Sequence, residues 1–298
     1  MKEIAPGIFL ESTYAPYNLV LIKAEDSVVA VDVPPNPLDA MQWRENILSI
    51  TNRIDYLVLT DSSPERQMPA MLWDTPIIAS ETTYAAMAVY DEERSRRELS
   101  QRYMDLYPEA GQFMEFYKPR RPMIAFNHRF YLHNRTPPLQ FEGIEGAAPG
   151  SLWIILPDLG LLIAGETVSV DDVPCFTYVK DSKSWLRTLA TLSRRQAIKK
   201  IIPGRGTAPI PRGSIEQQRE FLRVMRRTSR MLARGSLKLG KLSECASDLG
   251  QSFFNNRGQR AIKEIKRGLE ILMEEYRQEQ PAELNSGNAE DQAVKRSE

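Results

Sequence analysis

The chain alternates strand-length apolar runs with helix-length amphipathic segments, and it goes through that scheme twice. In the first pass Gly7 to Ser12, Asn18 to Lys23 and Ser27 to Val33 read as strands, the last one stopped by Pro34 and Pro35. Pro37 to Ile50 carries Leu38, Met41, Ile47 and Leu48 at helical spacing, and Ile54 to Thr60 and Pro76 to Ser80 return to strand. Residues 83 to 118 are helical by pattern, with the charged DEERSRRELSQR stretch as a solvated face. The second pass sets strands at Ile124–Phe126, Arg129–Leu132, Leu139–Glu142, Leu152–Leu156 and Leu161–Ala164, then a helix at Ser184–Ala197 and a short strand at Lys200–Ile202. Strands alternating with helices specify an α/β layering. Two passes specify two αβ halves packed sheet to sheet.

From Ser214 onward the pattern is helical only. Ser214, with Gln217 three residues on, reads as a capping box at a helix start. Residues 212 to 277 carry 15 Lys/Arg against 8 Asp/Glu. Two apolar stripes run through this stretch, one through Phe221, Leu222, Met225, Met231 and Leu232, the other through Ile262, Ile265, Leu269, Leu272, Met273 and Tyr276. They read as intramolecular cover, with a partner-binding or self-association surface as the sharper alternative. The expected division is an αβ domain over 1–211, a basic helical extension over 212–280 and a polar, aperiodic, disordered tail over 281–298. The basic excess and the SFFNNRGQR segment admit a nucleic-acid reading, which the interspersed Glu residues disfavour.

Composition narrows the chemistry. Lys plus Arg is 39 and Asp plus Glu is 39, so no bulk charge draws the chain to a polyanion. The two cysteines, Cys175 and Cys245, lie too far apart in sequence to suggest a disulfide scaffold and fit a reducing compartment. The N-terminus lacks the unbroken apolar segment of a signal peptide, and no apolar run has membrane-spanning length. The expectation is a cytoplasmic protein with no membrane contact. The whole chain holds two histidines, His128 and His133, both expected at the surface. Catalytic zinc sites take two or three histidines each, so a multi-His metal site is close to excluded.

Five segments, in order, resemble the metallo-β-lactamase fold superfamily over about residues 4 to 235. IAPGIFLEST resembles the opening strand, and SVVAVDVPP the apolar strand ending in a structural Asp, here Asp32. IDYLVLTDSSPERQMPA sits where the family has a strand, Thr-His-x-His-x-Asp-His and a helix. GAAPGSLWIILPDLGLLIAGET resembles Gly-His-Thr-Pro-Gly-Ser followed by two strands ending in Gly-Asp, and IIPGRGTAP the strand ending in Pro-Gly-His-Gly. The resemblance implies a four-layer αββα sandwich of two mixed sheets and, in intact relatives, metal-assisted hydrolysis.

The departures fall on the ligand positions. Histidine positions of the first motif are Asp61, Ser63 and Arg66, and its Asp position is Glu65. The next histidine is Ala147, the bridging Asp is Glu166, and the last histidine is Arg205. The framework residues Thr60, Gly146, Pro149, Gly150, Gly165, Pro203, Gly204 and Gly206 remain. Alanine offers no donor atom, and a permanently charged guanidinium repels a metal. The resemblance therefore implies a non-hydrolytic relative with no metal and no cofactor, acting as a binding, regulatory or scaffold component. Three readings of the altered site stay open: Arg66 and Arg205 pair with Asp61, Glu65 or Glu166 and tie the halves together; they bind a small anionic ligand; or the carboxylates Asp61, Glu65 and Glu166 serve a divergent hydrolase of an anionic phosphoester, with or without Mg²⁺.

Overall fold

A computed structural model describes residues 1–116, 118, 120–255 and 258–294, and their side chains except 110, 114–116 and 280–294. Strands β1 (Lys2–Ala5), β2 (Ile8–Glu11), β3 (Leu19–Lys23), β4 (Val28–Val31), β5 (Tyr56–Val58), β6 (Ile77–Ser80) and β7 (Ile124–Phe126) form one sheet in chain order. Short connections join β1 to β4, which pair antiparallel. From β4 onward the pairing is parallel, because α1 (Pro37–Ile50), α2 (Pro64–Ala70), and α3 (Glu81–Ala88) with α4 (Glu93–Leu106) carry the chain back between strands.

The second sheet runs β8 (Arg129–Leu132), β9 (Leu139–Gly143), β10 (Leu152–Leu156), β11 (Leu161–Val170), β12 (Lys200–Gly206) and β13 (Ile210–Pro211). Its one parallel pair, β11 with β12, is joined through α5 (Ser182–Arg194). The long helices α6 (Ile215–Ala233), α7 (Leu242–Phe254) and α8 (Gly258–Val294) follow.

Alternation within the strands explains the four layers. Val20, Ile22, Val29, Val31, Val58 and Ile78 of the first sheet meet Phe141, Leu152, Ile154, Leu161 and Ile163 of the second in the central core. Their neighbours Leu19, Leu21, Ala30, Leu57 and Ala79 face outward onto Trp43 and Ile47 of α1. On the far side Trp153, Ile155, Leu162 and Ala164 meet α5 to α8. Each such side chain contributes roughly 1.5–3 kcal/mol when buried, so strands apolar on both faces need cover on both.

The helical extension belongs to that last layer. Phe221, Leu222, Met225 and Leu232 of α6 and Ile265, Leu269 and Leu272 of α8 share one core with sheet and α5. Most of both apolar stripes is thus buried within the chain, with Met231 and Tyr276 half-buried outside that core. Among the described residues no helix is long and apolar enough to cross a membrane.

Local details differ from expectation where backbone chemistry overrides pattern. Ser214 caps nothing: a 3₁₀ turn over Arg212–Ser214 leads into α6, so its backbone is already helical and its hydroxyl bonds no helix N–H. Gln217, expected to close the box, donates instead to the Phe253 carbonyl at 2.9 Å. Helix α5 starts earlier than Ser184, because the Asp181 carboxylate accepts the Ser184 N–H at 2.7 Å as its cap. The segment over 83–118 breaks into α3, α4 and two 3₁₀ stretches, the second opened by Pro108. Pro203 does not end β12; it stands opposite Gly165 at a break in register, where a strand tolerates proline. Past residue 280, where a disordered tail was expected, α8 runs on to Val294, although Pro281, Gly287 and the Asn residues of that stretch have low helix propensity; 295–298 lie outside the described residues.

Candidate functional site: a buried arginine–carboxylate relay

The strand ends of both sheets converge on one cleft. Asp61, Ser63, Glu65, Arg66, Ala147, Glu166 and Arg205, all named from sequence, line it together with Tyr17, Cys175 and Tyr178. The topology explains the convergence: β4 and β5 lead into Asp32 and Asp61, α2 starts beside them, and β11 and β12 bring Glu166 and Arg205 across from the other sheet.

Asp32 follows β4 with φ 60, a conformation that short polar side chains tolerate best. Its Oδ1 accepts the Thr60 N–H at 2.9 Å, and its Oδ2 accepts the Thr60 hydroxyl at 2.7 Å and Nη1 of Arg66 at 2.5 Å. Arg66 rises from the first turn of α2 and is 2 % exposed. Its Nη2 donates to Oε1 of Glu166 at 2.5 Å. Arg205, on β12, donates Nε to Oε2 of the same carboxylate at 2.5 Å. Four side chains from both halves therefore form one relay, Asp32–Arg66–Glu166–Arg205.

Tyr17 supports the relay from the first half. Its backbone bridges to Arg205, and its ring lies 4.8 Å from the Arg205 guanidinium carbon and 5.7 Å from that of Arg66. Beside it the Asn18 amide donates to the carbonyls of Pro203 at 3.0 Å and Gly206 at 2.9 Å, tying the sheets together at the cleft rim. The glycines permit the approach. A Cβ at Gly165, whose φ is +55, would stand 2.5 Å from the Thr60 hydroxyl oxygen.

Two of the expected partners are arranged otherwise. Glu65 turns out of the relay and accepts the Tyr178 hydroxyl at 2.5 Å. Asp61 is 3.8 Å from Nη1 of Arg66, beyond a direct hydrogen bond; its Oδ1 accepts from the Ser63 backbone and hydroxyl, and its Oδ2 is buried with no hydrogen-bond partner. Asp32, named from sequence only as a structural residue, takes the place expected of Asp61. Its signal was the apolar run Ser27–Val33 ending in Asp, on the strand that pairs with the one leading to Thr60. Tyr17 and Tyr178 carried no sequence signal.

Electrostatics agree with the geometry. Burial pushes the Glu166 carboxyl up, but Arg205 and Arg66 outweigh it and hold the group below the usual carboxylate range. Burial dominates at Asp32 and raises it, with Arg66 opposing. Burial likewise pushes the Tyr17 hydroxyl up to about 12 and raises the Cys175 thiol, which leaves the thiol a poor nucleophile. Arg66 and Arg205 lose solvation yet are held more firmly protonated by the carboxylates around them.

The donor set does not fit the metal centre that the resemblance implies. Guanidinium groups fill the middle of the site, Ala147 and Ala148 present buried methyl groups, and the hydroxyl of Ser63 is engaged with Asp61. Among the described residues no cluster of three His, Cys, Asp or Glu side chains has metal-binding geometry. Both histidines are exposed, away from the cleft. The cleft encloses about 400 Å³ including its mouth. Nη1 of Arg66 is taken by Asp32 and Thr60 and its Nη2 donates to Glu166, whereas neither η nitrogen of Arg205 has a hydrogen bond among the described residues.

No protein-family model and no curated protein sequence matches the chain. Solved structures do. A metallo-β-lactamase family protein, TTHA1429 from Thermus thermophilus, aligns over 94% of this chain and 96% of its own, with TM-score 0.64 and 18% identity. The stereoselective inverting sec-alkylsulfatase Pisa1 from Pseudomonas sp. aligns over 92% of this chain but 49% of its own, with TM-score 0.60 and 14% identity. The metallo-β-lactamase DIM-1 covers 75% of this chain and 96% of its own, with TM-score 0.55 and 16% identity.

Proposed function

This chain has the metallo-β-lactamase fold, and we propose that it is a metal-free, non-hydrolytic version of it serving as a binding, regulatory or scaffold component. The observation that carries the reading is the position of Arg66. A guanidinium clamped between Asp32 and Glu166 puts fixed positive charge where metal-bearing relatives, by the resemblance, hold their ions. Arg205 completes the substitution from the second sheet. Such a group supplies charge balance but no Lewis acidity and no activated water.

The hydrolase reading asks for carboxylates free to act, and they are engaged. Glu166 serves two arginines and Glu65 holds Tyr178, which leaves Asp61 alone with an oxygen to offer. A partner meeting the C-terminal helices would find their Arg-rich outer faces, since the apolar stripes are buried. Cys175 and Cys245 are free thiols, in keeping with a cytoplasmic setting.

Elemental analysis of protein purified without chelator tests the reading, alongside turnover assays on phosphate, sulfate and carboxylic esters with added Zn²⁺, Mn²⁺ or Mg²⁺. Substoichiometric metal and no metal-stimulated turnover are expected. One equivalent of transition metal per chain, with hydrolysis lost in Glu166→Gln, would overturn it.

A further inference from the structure

The outer face of the second sheet holds an open groove of about 1060 Å³ between α5 and the edge strands, and it shares no lining residue with the cleft. Its floor is a cross-strand row. Arg129 of β8 pairs with Glu142 of β9, which pairs with Trp153 of β10, so all three stand on one face of the sheet. Its wall is one face of α5, where Ser184, Arg187, Thr188 and Thr191 follow at helical spacing. Arg194 and Arg195 line it at the end of that helix.

Charge in the groove is unbalanced. Arg195 makes a bidentate pair with Glu142 at 2.6 and 2.7 Å, and Arg129 approaches the same carboxylate at 3.8 Å. Glu145 is the other acidic lining residue. Among the described residues neither Arg187 nor Arg194 forms a salt bridge; Arg187 donates to the Ser184 hydroxyl at 2.6 Å, and the Asp181 carboxylate, bound to the same serine, offsets part of its charge. Two guanidinium forks and two threonine hydroxyls thus face the groove with donors to spare.

The floor supplies an independent observation. The chain has four tryptophans. Indole N–H groups of Trp43, Trp73 and Trp185 donate to the backbone carbonyls of Asp32, Ala40 and Thr167. The fourth, Trp153, is 2 % exposed and its N–H has no acceptor. Buried donors are nearly always paired, and among the described residues Trp153 is the groove-lining residue that carries an unpaired one.

We propose that this groove binds a small phosphate-bearing molecule, with Arg187 and Arg194 as its charge partners and Trp153 as a donor beneath it. A phosphate brings several acceptor oxygens at once, which matches guanidinium forks and neutral N–H and O–H donors better than a single carboxylate does. The acidic residues Glu142 and Glu145 within the groove disfavour a long polyanionic strand laid along it.

The test uses the full chain, labelled with ¹⁵N, and inorganic pyrophosphate as the probe at low salt. Trp153→Phe identifies the Trp153 indole resonance among the four. Titration with pyrophosphate should shift that resonance and leave the other three in place. Arg187→Gln combined with Arg194→Gln, both exposed and outside the core, should weaken the response by about tenfold or more. No shift at millimolar pyrophosphate, or a shift undiminished in the double variant, would overturn the proposal. So would a response confined to a short single-stranded oligonucleotide.

Discussion

Arg66 and Arg205 hold opposite oxygens of Glu166, one through Nη2 and the other through Nε, each at 2.5 Å. Because the three residues come from α2, β12 and β11, one carboxylate joins the two halves. Arg205→Ala and Glu166→Ala should therefore be strongly non-additive, with a coupling of at least about 1 kcal/mol in urea denaturation of the singles and the double. Additivity within about 0.3–0.5 kcal/mol would mean that the two side chains do not sense one another.

Removal of Arg66 should cost more than removal of Arg205. Arg66→Ala strands Asp32 in the interior beside Asp61 and leaves Glu166 with Arg205 alone, and loss of one partner from a buried pair costs roughly 3–5 kcal/mol. Arg66→Lys keeps the charge but not the planar fork that reaches two carboxylates at once, so it should recover only part of the loss. Denaturation midpoints of the three proteins check this, and a fully stable lysine variant would contradict it.

Acid should expose the relay. Glu166 is held below its unfolded value, so its contribution is present above about pH 4.3 and is lost as pH falls through the folded value. Asp32 has the opposite sign: raised by burial, it contributes stability at low pH that is lost as pH rises through its folded value. Glu166→Gln removes only the first term. The stability gap between wild type and Glu166→Gln should narrow on acidification below about pH 4, measured by urea unfolding across that range.

The close approach of β11 and β12 is as necessary as the charges. A Cβ at Gly204 would lie 2.4 Å from the Gly165 carbonyl carbon and 2.6 Å from the Glu166 nitrogen, both backbone atoms. Gly204→Ala should push the strands apart beneath Glu166 and Arg205 and cost about 3 kcal/mol, at the upper end for overpacking. Gly213→Ala, whose added methyl meets nothing within 4 Å, is the control and should be nearly neutral.

Much of this was legible in the chain itself. Apolar runs cut by Pro and Gly marked most of the strands, since a strand covered on both faces leaves a run that a helix of that length cannot use. The residues that line the cleft were legible because the turns around them carry glycines and prolines at spacings that resemble the family's. What the sequence hid were choices among near neighbours. Asp32 and Asp61 are both carboxylates near Arg66; the positive φ at Asp32 brings it within 2.5 Å, while Ser63 holds Asp61 back. Glu65 sits next to Arg66 in sequence, yet consecutive helical residues point apart, which sends it to Tyr178. The failed capping box has the same origin: Ser214 and Gln217 match the pattern, but the 3₁₀ turn before them had already fixed the backbone.

The burial of Arg66 also bears on anyone wishing to engineer metal chemistry into this scaffold. Histidine placed at position 66 would remove the charge that Asp32 and Glu166 share, and histidine at 205 would release the other oxygen of Glu166. At position 147 an imidazole would have to enter space now closed around a methyl group that is 2 % exposed. Each change alone yields a less stable protein that still lacks a complete ligand set. A stepwise route to a metal site in this cleft therefore runs downhill in stability before any metal can bind and repay it, and only a concerted replacement with metal present during folding avoids that descent.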